Sequence, residues 1–363
     1  MRAGAFAKAP SYLSAGFRFT TAIASMHRRA FLTTAATLAA AGCFTRPNPL
    51  AESGRIMTVR GPIDPAAMGR TLTHEHLFSI FGLDPAEPFR YDRPVVRAAV
   101  LPQLQALHAL GGRTIVDATA AYFGRDAVLL KQLSEASGLH LITNTGYYGA
   151  ANDRYVPGHA FEDSIDGLAA RWMREWTSGI AGTGIRPGFI KLGVDRGPLS
   201  AIDRKLVQAG ARVHRRTGLT LAVHTGDSVE AARQQLEILR DDGVDASAWI
   251  WVHAHSVATE DPLLEAADAG AWISLDGYRP DRTALFLERL GAFRAAGLLG
   301  RVLLSHDGNT YPRNGSAEPR PYTALFTNLL PALLDHGFAP AEIDRLTIEN
   351  PARAFTVQVR TTD

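Results

Sequence analysis

Apolar residues along most of this chain follow two alternating patterns. Short runs rich in β-branched residues, typical of buried strands, alternate with longer stretches whose apolar residues recur at helical spacing, such as Asp203–Thr217 and Val229–Asp242. Strands are predicted at Thr71–Leu77, Thr114–Thr119, His140–Gly146, Phe189–Val194, Thr220–Thr225, Trp249–His253, Ala271–Asp276 and Arg301–Asp307.

Eight strands that alternate with helices favour a (β/α)8 barrel, a fold that typically needs ~250 residues. Gly218, Gly243, Gly270 and Gly300 each stand between a helical stretch and the next strand, where a left-handed residue is expected to end the helix. The alternative is a doubly wound open sheet. No glycine-rich phosphate fingerprint follows the first strand, so the sequence gives no support for a nucleotide site.

The first 43 residues predict an export signal. Arg28 and Arg29 precede a short alanine-rich apolar run, which resembles a twin-arginine signal and is shorter than the ~20 residues that span a bilayer. We therefore expect export to the periplasm or the membrane surface. The stretch that ends at Cys43 resembles a lipoprotein processing site, so a lipid anchor at Cys43 and an ordinary cleaved signal both remain open. Met26 lies two residues before Arg28 and is an alternative start to Met1.

The domain prediction is a signal at residues 1–43, a linker at 44–55 and a barrel domain at 56–363. The signal holds five of the 38 basic residues and no acid, which leaves 33 basic and 36 acidic residues in the remainder. A mildly acidic body gives no electrostatic reason to expect a nucleic-acid partner, so a small-molecule substrate is expected. Cys43 is the one cysteine, which excludes an intrachain disulfide.

Histidine, lysine and aspartate residues fall at the carboxyl ends of five predicted strands. In a (β/α)8 barrel these ends form the active-site face. His74 and His76 share one face of the first strand because side chains alternate, while Glu75 points the other way. Imidazole and carboxylate groups are ligands for zinc and similar divalent ions, so the set predicts a metal site. The set is His74, His76, Lys191, His224, His253 and Asp307.

Lys191 has a chemical role open to it beside metal ions. Burial and nearby cations lower the pKa of a lysine, and the neutral amine adds carbon dioxide to form a carbamate. A carbamate has two oxygens, enough to bridge two ions held ~3.5–4 Å apart. The alternative from the residue alone is a lysine that reaches out of the barrel to pair with an acid.

The order and spacing of these residues resemble the phosphotriesterase family of the amidohydrolase superfamily. The similar segments are Thr73–His76, Ile190–Leu192, Val223–Thr225, His253 and Ser305–Asp307, and the resemblance covers residues 56–358. It implies two divalent ions, expected to be zinc although cobalt and manganese suit the same ligands, with carbon dioxide as the Lys191 carbamate.

The resemblance also implies a role for each ligand. His74, His76 and Asp307 would hold one ion, and His224 and His253 the other, with Lys191 and a hydroxide as bridges. Asp307 would take the proton of the attacking hydroxide. The resemblance suggests a homodimer as well.

His253 and His255 compete for one ligand position, since both are predicted to face the same side of a strand. We choose His253 for its spacing to His224 and because Asp276 follows where the family also has an aspartate. His255 is then a neighbouring support or a loop residue.

The substrate is less well defined by the sequence. Family lactonases have a tyrosine where phosphotriesterases have tryptophan, and Tyr148 occupies that position. Tyr148 is therefore an expected substrate-binding residue, although it is equally compatible with packing in the wall. Tyr147 and Tyr278 are also expected to bind substrate, because they are aromatic loop residues near the barrel mouth.

Two departures from the family patterns bear on the substrate. Gly277 stands where lactonases have arginine and where phosphotriesterases have a relay histidine, and Ser256 stands where the relay acid is expected. The expected function is an exported hydrolase of ester-type bonds with lactones first. Phosphoester or amide hydrolysis, and a catalytically silent metal-containing binding protein, are the alternatives.

Overall fold

A computed structural model describes residues 52–83, 90–312 and 321–362 of the chain. The predicted signal and Cys43 lie outside the described residues. Twelve strands are described: β1 Ile56–Thr58, β2 Gly61–Ile63, β3 Arg70–Ser79, β4 Gly112–Asp117, β5 His140–Ile142, β6 Asn144–Thr145, β7 Phe189–Gly193, β8 Leu221–His224, β9 Trp249–Val252, β10 Trp272–Leu275, β11 Val302–Leu304 and β12 Asn309–Pro312.

Helices cover the outside of the strands. The α-helices are α1 Arg93–Ala109, α2 Ala127–Ser137, α3 Gly158–Glu162, α4 Ile165–Ser178, α5 Ala201–Thr217, α6 Val229–Asp241, α7 Asp261–Asp268, α8 Thr283–Ala295, α9 Leu330–Asp335, α10 Pro340–Asp344 and α11 Asn350–Phe355. Wider π-helical turns at Leu325–Leu329 and Arg345–Glu349 lead into α9 and α11. Single 3-10 turns lie at Pro65–Ala67, Ile180–Gly182, Ala246–Ala248, Ala254–Ser256, Pro280–Arg282 and Leu299–Arg301. None of the described helices is both long and apolar enough to cross a membrane.

Parallel strands run around the barrel in two hydrogen-bonded arcs. One arc has the order β11-β10-β9-β8-β7-β6 and the other β12-β3-β4-β5. β5 and β6 are halves of one strand interrupted at Thr143. At the other junction the Asp307 N–H donates to the His74 carbonyl at 3.1 Å, and the His76 N–H donates to the Gly308 carbonyl at 2.8 Å. The predicted (β/α)8 barrel is confirmed.

Each of the eight predicted strands is present, with shifted ends. The largest difference is in the last one, because β11 stops at Leu304 and Ser305–Asp307 leave the strand geometry. Gly218, Gly243 and Gly270 have positive φ as expected, whereas Gly300 lies in the 3-10 turn before β11 and is wrong as a left-handed helix end.

The lower half of the barrel interior is an apolar plug. Phe189, Ile250 and Trp272 belong to one buried cluster that also contains Ile56 from β1 and Phe355 from α11. Because side chains alternate along a strand, the position two residues after Phe189 also faces inward, and that position is Lys191. The plug therefore forms a dry floor beneath the polar residues at the strand ends.

His214 on α5 is buried in the wall of the barrel. Its Nδ1–H donates to the Leu219 carbonyl at 2.8 Å, and its Nε2 accepts the Arg360 N–H at 2.9 Å. These two contacts suit the neutral ring, which donates at Nδ1 and accepts at Nε2. Burial, the largest effect, lowers the pKa of His214 to about 4.

We expect His214 to make the barrel less stable in acid. Below pH 6.5 the unfolded chain binds a proton at this residue that the folded chain rejects, so the free energy of unfolding falls by about 2 kcal/mol by pH 5. The free energy of unfolding is measured with urea at pH 7.5 and pH 5.0. Its fall between these pH values should be smaller in His214→Gln than in the parent chain by about 2 kcal/mol. The exposed His336→Gln should behave like the parent chain, and an unchanged drop in His214→Gln would contradict the assignment.

Candidate metal centre

The six predicted metal ligands line one cavity of about 320 Å³ at the carboxyl ends of the strands. Lys191 and His224 reach it from neighbouring strands because each lies two residues after an inward-facing core position. Aromatic walls are added by Phe81, Phe123 and Tyr148. The tertiary structure thus brings together residues that are far apart in the chain.

The rings and the carboxylate of this set are close to one another. Asp307 Oδ1 lies 3.6 Å from His74 Nε2 and 3.4 Å from His76 Nε2. The His253 ring centroid lies 4.4 Å from that of His224 and 5.0 Å from that of His74. Ligand atoms of His74, His253 and Asp307 fall within 4.8 Å of each other, which suits a metal ion.

Two of these residues have left-handed backbone conformations. His253 has φ of 63° and Asp307 has φ of 53°, values that are uncommon for residues other than glycine. His253 follows directly after β9, and Asp307 lies in the segment after β11, where the chain turns out of the sheet. Such local strain is typical of functional sites, and here it directs both side chains into the cavity.

Two buried nitrogen atoms of the cavity have no hydrogen-bond partner among the described residues. They are His74 Nε2 and Lys191 Nζ. An unpaired buried polar atom costs free energy unless a ligand satisfies it. Burial, followed by the charge of Lys191, keeps the pKa of His74 well below its usual value, so its ring is a neutral lone-pair donor. These atoms fit a bound cation.

Burial also changes the titration of Lys191 and His224. It lowers the pKa of Lys191 to about 8, although Asp276 and Asp307 oppose the change. Burial and then His253 hold the pKa of His224 well below the ordinary range. A lysine with this pKa has an appreciable neutral amine fraction near neutral pH, which the carbamate prediction requires.

Asp276 supports the centre from behind. Its Oδ1 accepts from His253 Nδ1 at 2.8 Å and its Oδ2 accepts the His253 N–H at 3.1 Å. Burial opposes its ionisation, but His253 and His74 together hold the pKa of Asp276 well below its usual value. A carboxylate on Nδ1 leaves Nε2 of the same ring as the lone-pair donor that faces the cavity.

Glu75 and His306 form a second support that the sequence analysis did not identify. Glu75 Oε1 accepts from His306 Nδ1 at 2.8 Å and from the Ser305 hydroxyl at 2.7 Å, and Oε2 accepts the Gly308 N–H at 2.6 Å. The residues that donate these hydrogen bonds flank Asp307 in the chain, so the contacts hold the turn at Asp307. The available signal was Glu75 itself, an acid that strand alternation turns away from the cavity.

His76 has its own support on the neighbouring strand. Its Nδ1 lies 2.8 Å from the Thr119 hydroxyl, and the backbone N–H of Thr119 donates to Asp117 Oδ1 at 3.1 Å. Burial, the main cause, raises the pKa of Asp117 to about 6. Thr119 ends a predicted strand, but its sequence context does not indicate this contact.

The expectation that His253 and His255 share one strand face is wrong. β9 ends at Val252, and a 3-10 turn follows at Ala254–Ser256, so alternation no longer applies. His253 lines the cavity, whereas the His255 Nδ1 lies 3.1 Å from Asp276 Oδ1 behind it. The ring fills the space of a side chain at Gly277, where a Cβ would lie 2.0 Å from His255 Nε2. This position must therefore lack a side chain unless His255 moves.

The three predicted substrate-binding tyrosines separate in the structure. Tyr148 lines the cavity, and its hydroxyl lies 3.1 Å from His224 Nδ1. Tyr147 packs in the helical shell with its hydroxyl 3.0 Å from His159 Nε2. Tyr278 is buried with its hydroxyl 2.9 Å from that of Thr283. Neither Tyr147 nor Tyr278 lines this cavity. Tyr147 points away from it because it is adjacent to Tyr148 and successive residues point in different directions.

Comparisons with known proteins agree with this geometry. The model of the phosphotriesterase family matches residues 54–355. The phosphotriesterase homology protein of Escherichia coli (strain K12) is 30% identical, over 79% of this chain and 98% of its own. The N-acetyltaurine hydrolase of Homo sapiens is 28% identical, over 84% of this chain and 98% of its own.

Solved structures give the same result. The organophosphorus hydrolase from Deinococcus radiodurans is 30% identical, with a TM-score of 0.74 over 85% of this chain and 98% of that one. A structure described as the engineering of organophosphate hydrolysis activity from a weak promiscuous lactonase template is also 30% identical, with a TM-score of 0.74 over 83% and 99% of the two chains.

Proposed function

Because this chain belongs to the phosphotriesterase family and is a metal-dependent hydrolase, we propose that its substrate is a small uncharged ester, with lactones first. His74, His76 and Asp307 would hold one divalent ion, and His224 and His253 a second, with zinc as the expected metal. Lys191 as a carbamate would serve both. The chemistry that such ions supply when bound is activation of water and polarisation of the bond that is cleaved.

Tyr148 is the observation that supports a small oxygen ester. If His224 Nε2 is the metal-binding atom, Nδ1 carries the proton and donates to the Tyr148 oxygen at 3.1 Å. The phenolic hydrogen is then available to a substrate oxygen in the cavity. Burial is the main cause that raises the pKa of Tyr148, so the phenol stays protonated at neutral pH. The Tyr148 ring stacks on that of Phe123 with 5.0 Å between the ring centroids, which holds this donor in place.

The size and polarity of the cavity support the same proposal. About 320 Å³ is at the small end of the range for ligand pockets. Three aromatic rings form part of its wall, which suits an apolar ring, whereas a charged substrate would lose its hydration there. The Asp307 carboxylate is partly exposed to the cavity, where it can accept a proton and pass it to the leaving oxygen.

Amide hydrolysis is the second candidate. It is favoured by the similarity to the N-acetyltaurine hydrolase of Homo sapiens, whose name denotes cleavage of an amide. The same centre and the same Asp307 carboxylate serve a leaving amine as well as a leaving alcohol. The alternative of a catalytically silent binding protein has less support, because all six candidate ligand residues are present and line one cavity.

A substrate panel with two matched tyrosine variants tests the substrate proposal. The panel holds γ- and δ-lactones, an aryl ester, N-acetyltaurine and a phosphotriester. We expect lactones to have the highest kcat/KM, and Tyr148→Phe to lower it about tenfold through the lost hydrogen bond. Tyr147→Phe loses a phenol outside the cavity and should leave the lactone rate unchanged. Fastest turnover of N-acetyltaurine would replace the lactone by the amide, and equal effects of the two variants would contradict the role of Tyr148.

Export is a separate part of the proposal, and it rests on the sequence of residues 1–43. We propose that Arg28 and Arg29 direct the folded chain out of the cytoplasm, to the periplasm or to a lipid anchor at Cys43. Replacing both arginines with lysine should leave the precursor in the cytoplasm in a fractionation experiment. Export that continues undiminished in that variant would rule out the twin-arginine route.

A further inference from the structure

Three arginines line a cleft at the opposite end of the barrel from the metal centre. Arg301, Arg353 and Arg360, with Trp272 and Ser247, border a cleft of about 340 Å³. Trp272 is the first residue of β10, and Arg301 directly precedes β11. The cleft is therefore at the amino-terminal ends of the strands, whereas the metal centre is at their carboxyl ends.

Contacts with the barrel orient these guanidinium groups. Arg301 and Arg353 lie 5.3 Å and 5.5 Å from the ring centroid of Trp272, within the range of cation–π contacts. Arg360 donates to the Thr220 hydroxyl at 3.1 Å and to the Arg353 carbonyl at 2.9 Å. Such a preorganised set loses little conformational entropy when a ligand binds.

Most hydrogen-bond donors of Arg301 and Arg353 are unused within the described part of the chain. The Arg301 side chain has no hydrogen-bond acceptor there, and Arg353 has one weak contact, 3.5 Å to the Gly300 carbonyl. None of the three arginines forms an ion pair with a described carboxylate. Arg125 is different, because its guanidinium pairs with Glu175 at 2.5 Å. Each guanidinium has five donors, so the cleft has many N–H groups without acceptors.

The charges in the cleft repel one another. Burial, and then Arg301, lower the pKa of Arg360 to about 10, and burial and Arg353 lower the pKa of Arg301. Asp245 is the acid that counters both shifts, but its Oδ1 accepts from the backbone N–H and the hydroxyl of Ser247. An anion that enters the cleft would relieve this repulsion.

We propose that the cleft formed by Arg301, Arg353 and Arg360 binds a phosphate group. Guanidinium groups bind phosphate oxygens with paired hydrogen bonds, and a doubly charged tetrahedral anion matches three converging cations better than a single carboxylate does. The site is distinct from the hydrolytic centre and does not depend on the identity of its substrate.

Two sources of this group are chemically equivalent at the cleft, namely a free phosphate and the head group of an anionic phospholipid. Arg55, near the start of the barrel domain, lies on the same face as the cleft. Its carbonyl accepts the Val357 N–H at 2.9 Å, and Val357 belongs to the segment that carries Arg360. A membrane surface is therefore included among the arms of the test.

Binding measurements on the full chain with Cys43→Ser, which removes the acylation site, test the proposal. Inorganic phosphate is titrated by calorimetry, and vesicles of phosphatidylglycerol with phosphatidylcholine are compared with phosphatidylcholine alone by sedimentation. The variant Arg301→Gln/Arg353→Gln should bind phosphate at least about tenfold more weakly. The charge-matched control Arg233→Gln/Arg240→Gln, on exposed positions of α6, should bind like the parent chain.

The outcomes separate the sources. Arginine-dependent binding of phosphate and of anionic vesicles assigns the site to a lipid head group, and arginine-dependent binding of phosphate alone assigns it to a free oxyanion. If the glutamine variant unfolds, Arg301→Lys/Arg353→Lys keeps the charge but loses the paired geometry, and it should bind with intermediate affinity. Equal phosphate binding by the parent chain and a folded arginine variant would overturn the proposal. This outcome would also result if the phosphate bound at the metal centre and not in the cleft.

Discussion

Replacing Lys191 with alanine is expected to lower kcat by about 10³-fold and to reduce the number of metal ions bound per chain. Lys191 Nζ is buried beneath the cavity without a described hydrogen-bond partner. If it is a carbamate, it provides the one ligand that serves both ions. The loss of about 4 kcal/mol of transition-state stabilisation corresponds to that rate change. Metal content by elemental analysis and steady-state kinetics on the preferred ester measure the two effects.

The control for this variant is Lys131→Ala, which removes an exposed lysine from α2 and should change neither quantity. The carbamate has a further signature, because reconstitution of the metal-free parent chain should be slower when carbon dioxide is excluded. Full turnover with two ions still bound to Lys191→Ala would refute the bridging role. A fall in rate with no dependence on carbon dioxide would leave the lysine essential as an amine and not as a carbamate.

Glu75→Gln is expected to reduce the free energy of unfolding by about 3 kcal/mol, because it replaces a buried carboxylate that accepts several hydrogen bonds. The carboxylate is fully buried and accepts hydrogen bonds from Ser305, His306 and Gly308. A glutamine amide in its place would put its own N–H against one of these donors, which would then lack an acceptor. Chemical denaturation gives the stability, and the hydrolysis rate measured well below the unfolding transition shows whether the turn at Asp307 has moved.

Two comparisons make this result specific. Glu237→Gln removes an exposed carboxylate from α6 and should alter stability by no more than about 0.5 kcal/mol. His306→Gln removes the other partner, so the double variant should lose less than the sum of the two single losses. Strict additivity would mean that Glu75 and His306 do not act as a pair.

Much of this architecture follows from local sequence pattern. Short runs rich in β-branched residues identified eight buried strands, and glycine residues with positive φ ended several helices where the sequence indicated. Alternation along each strand explains why Lys191 and His224 lie above the apolar floor. All six ligand candidates were found because strand ends are read directly from the chain, and the barrel then brings those ends together.

Directions at the ends of strands did not follow from the sequence. Tyr147 and Tyr148 are adjacent in the chain, yet one faces the helical shell and the other the cavity. His253 and His255 lost their strand relation because His253 takes a left-handed conformation and a 3-10 turn follows. Such turns depend on the contacts that each loop makes, which alternation does not describe.

Long-range pairs depended on the tertiary structure alone. Glu75 lies on β3 and His306 lies beyond the end of β11. Arg301, Arg353 and Arg360 meet only because the end of the chain returns beneath the strands. The sequence by itself determined the repeating elements and the types of ligand, because these depend on spacing within a few residues. The tertiary structure decided which polar groups meet, because hydrogen bonds and charges act over a few ångströms whatever their separation along the chain.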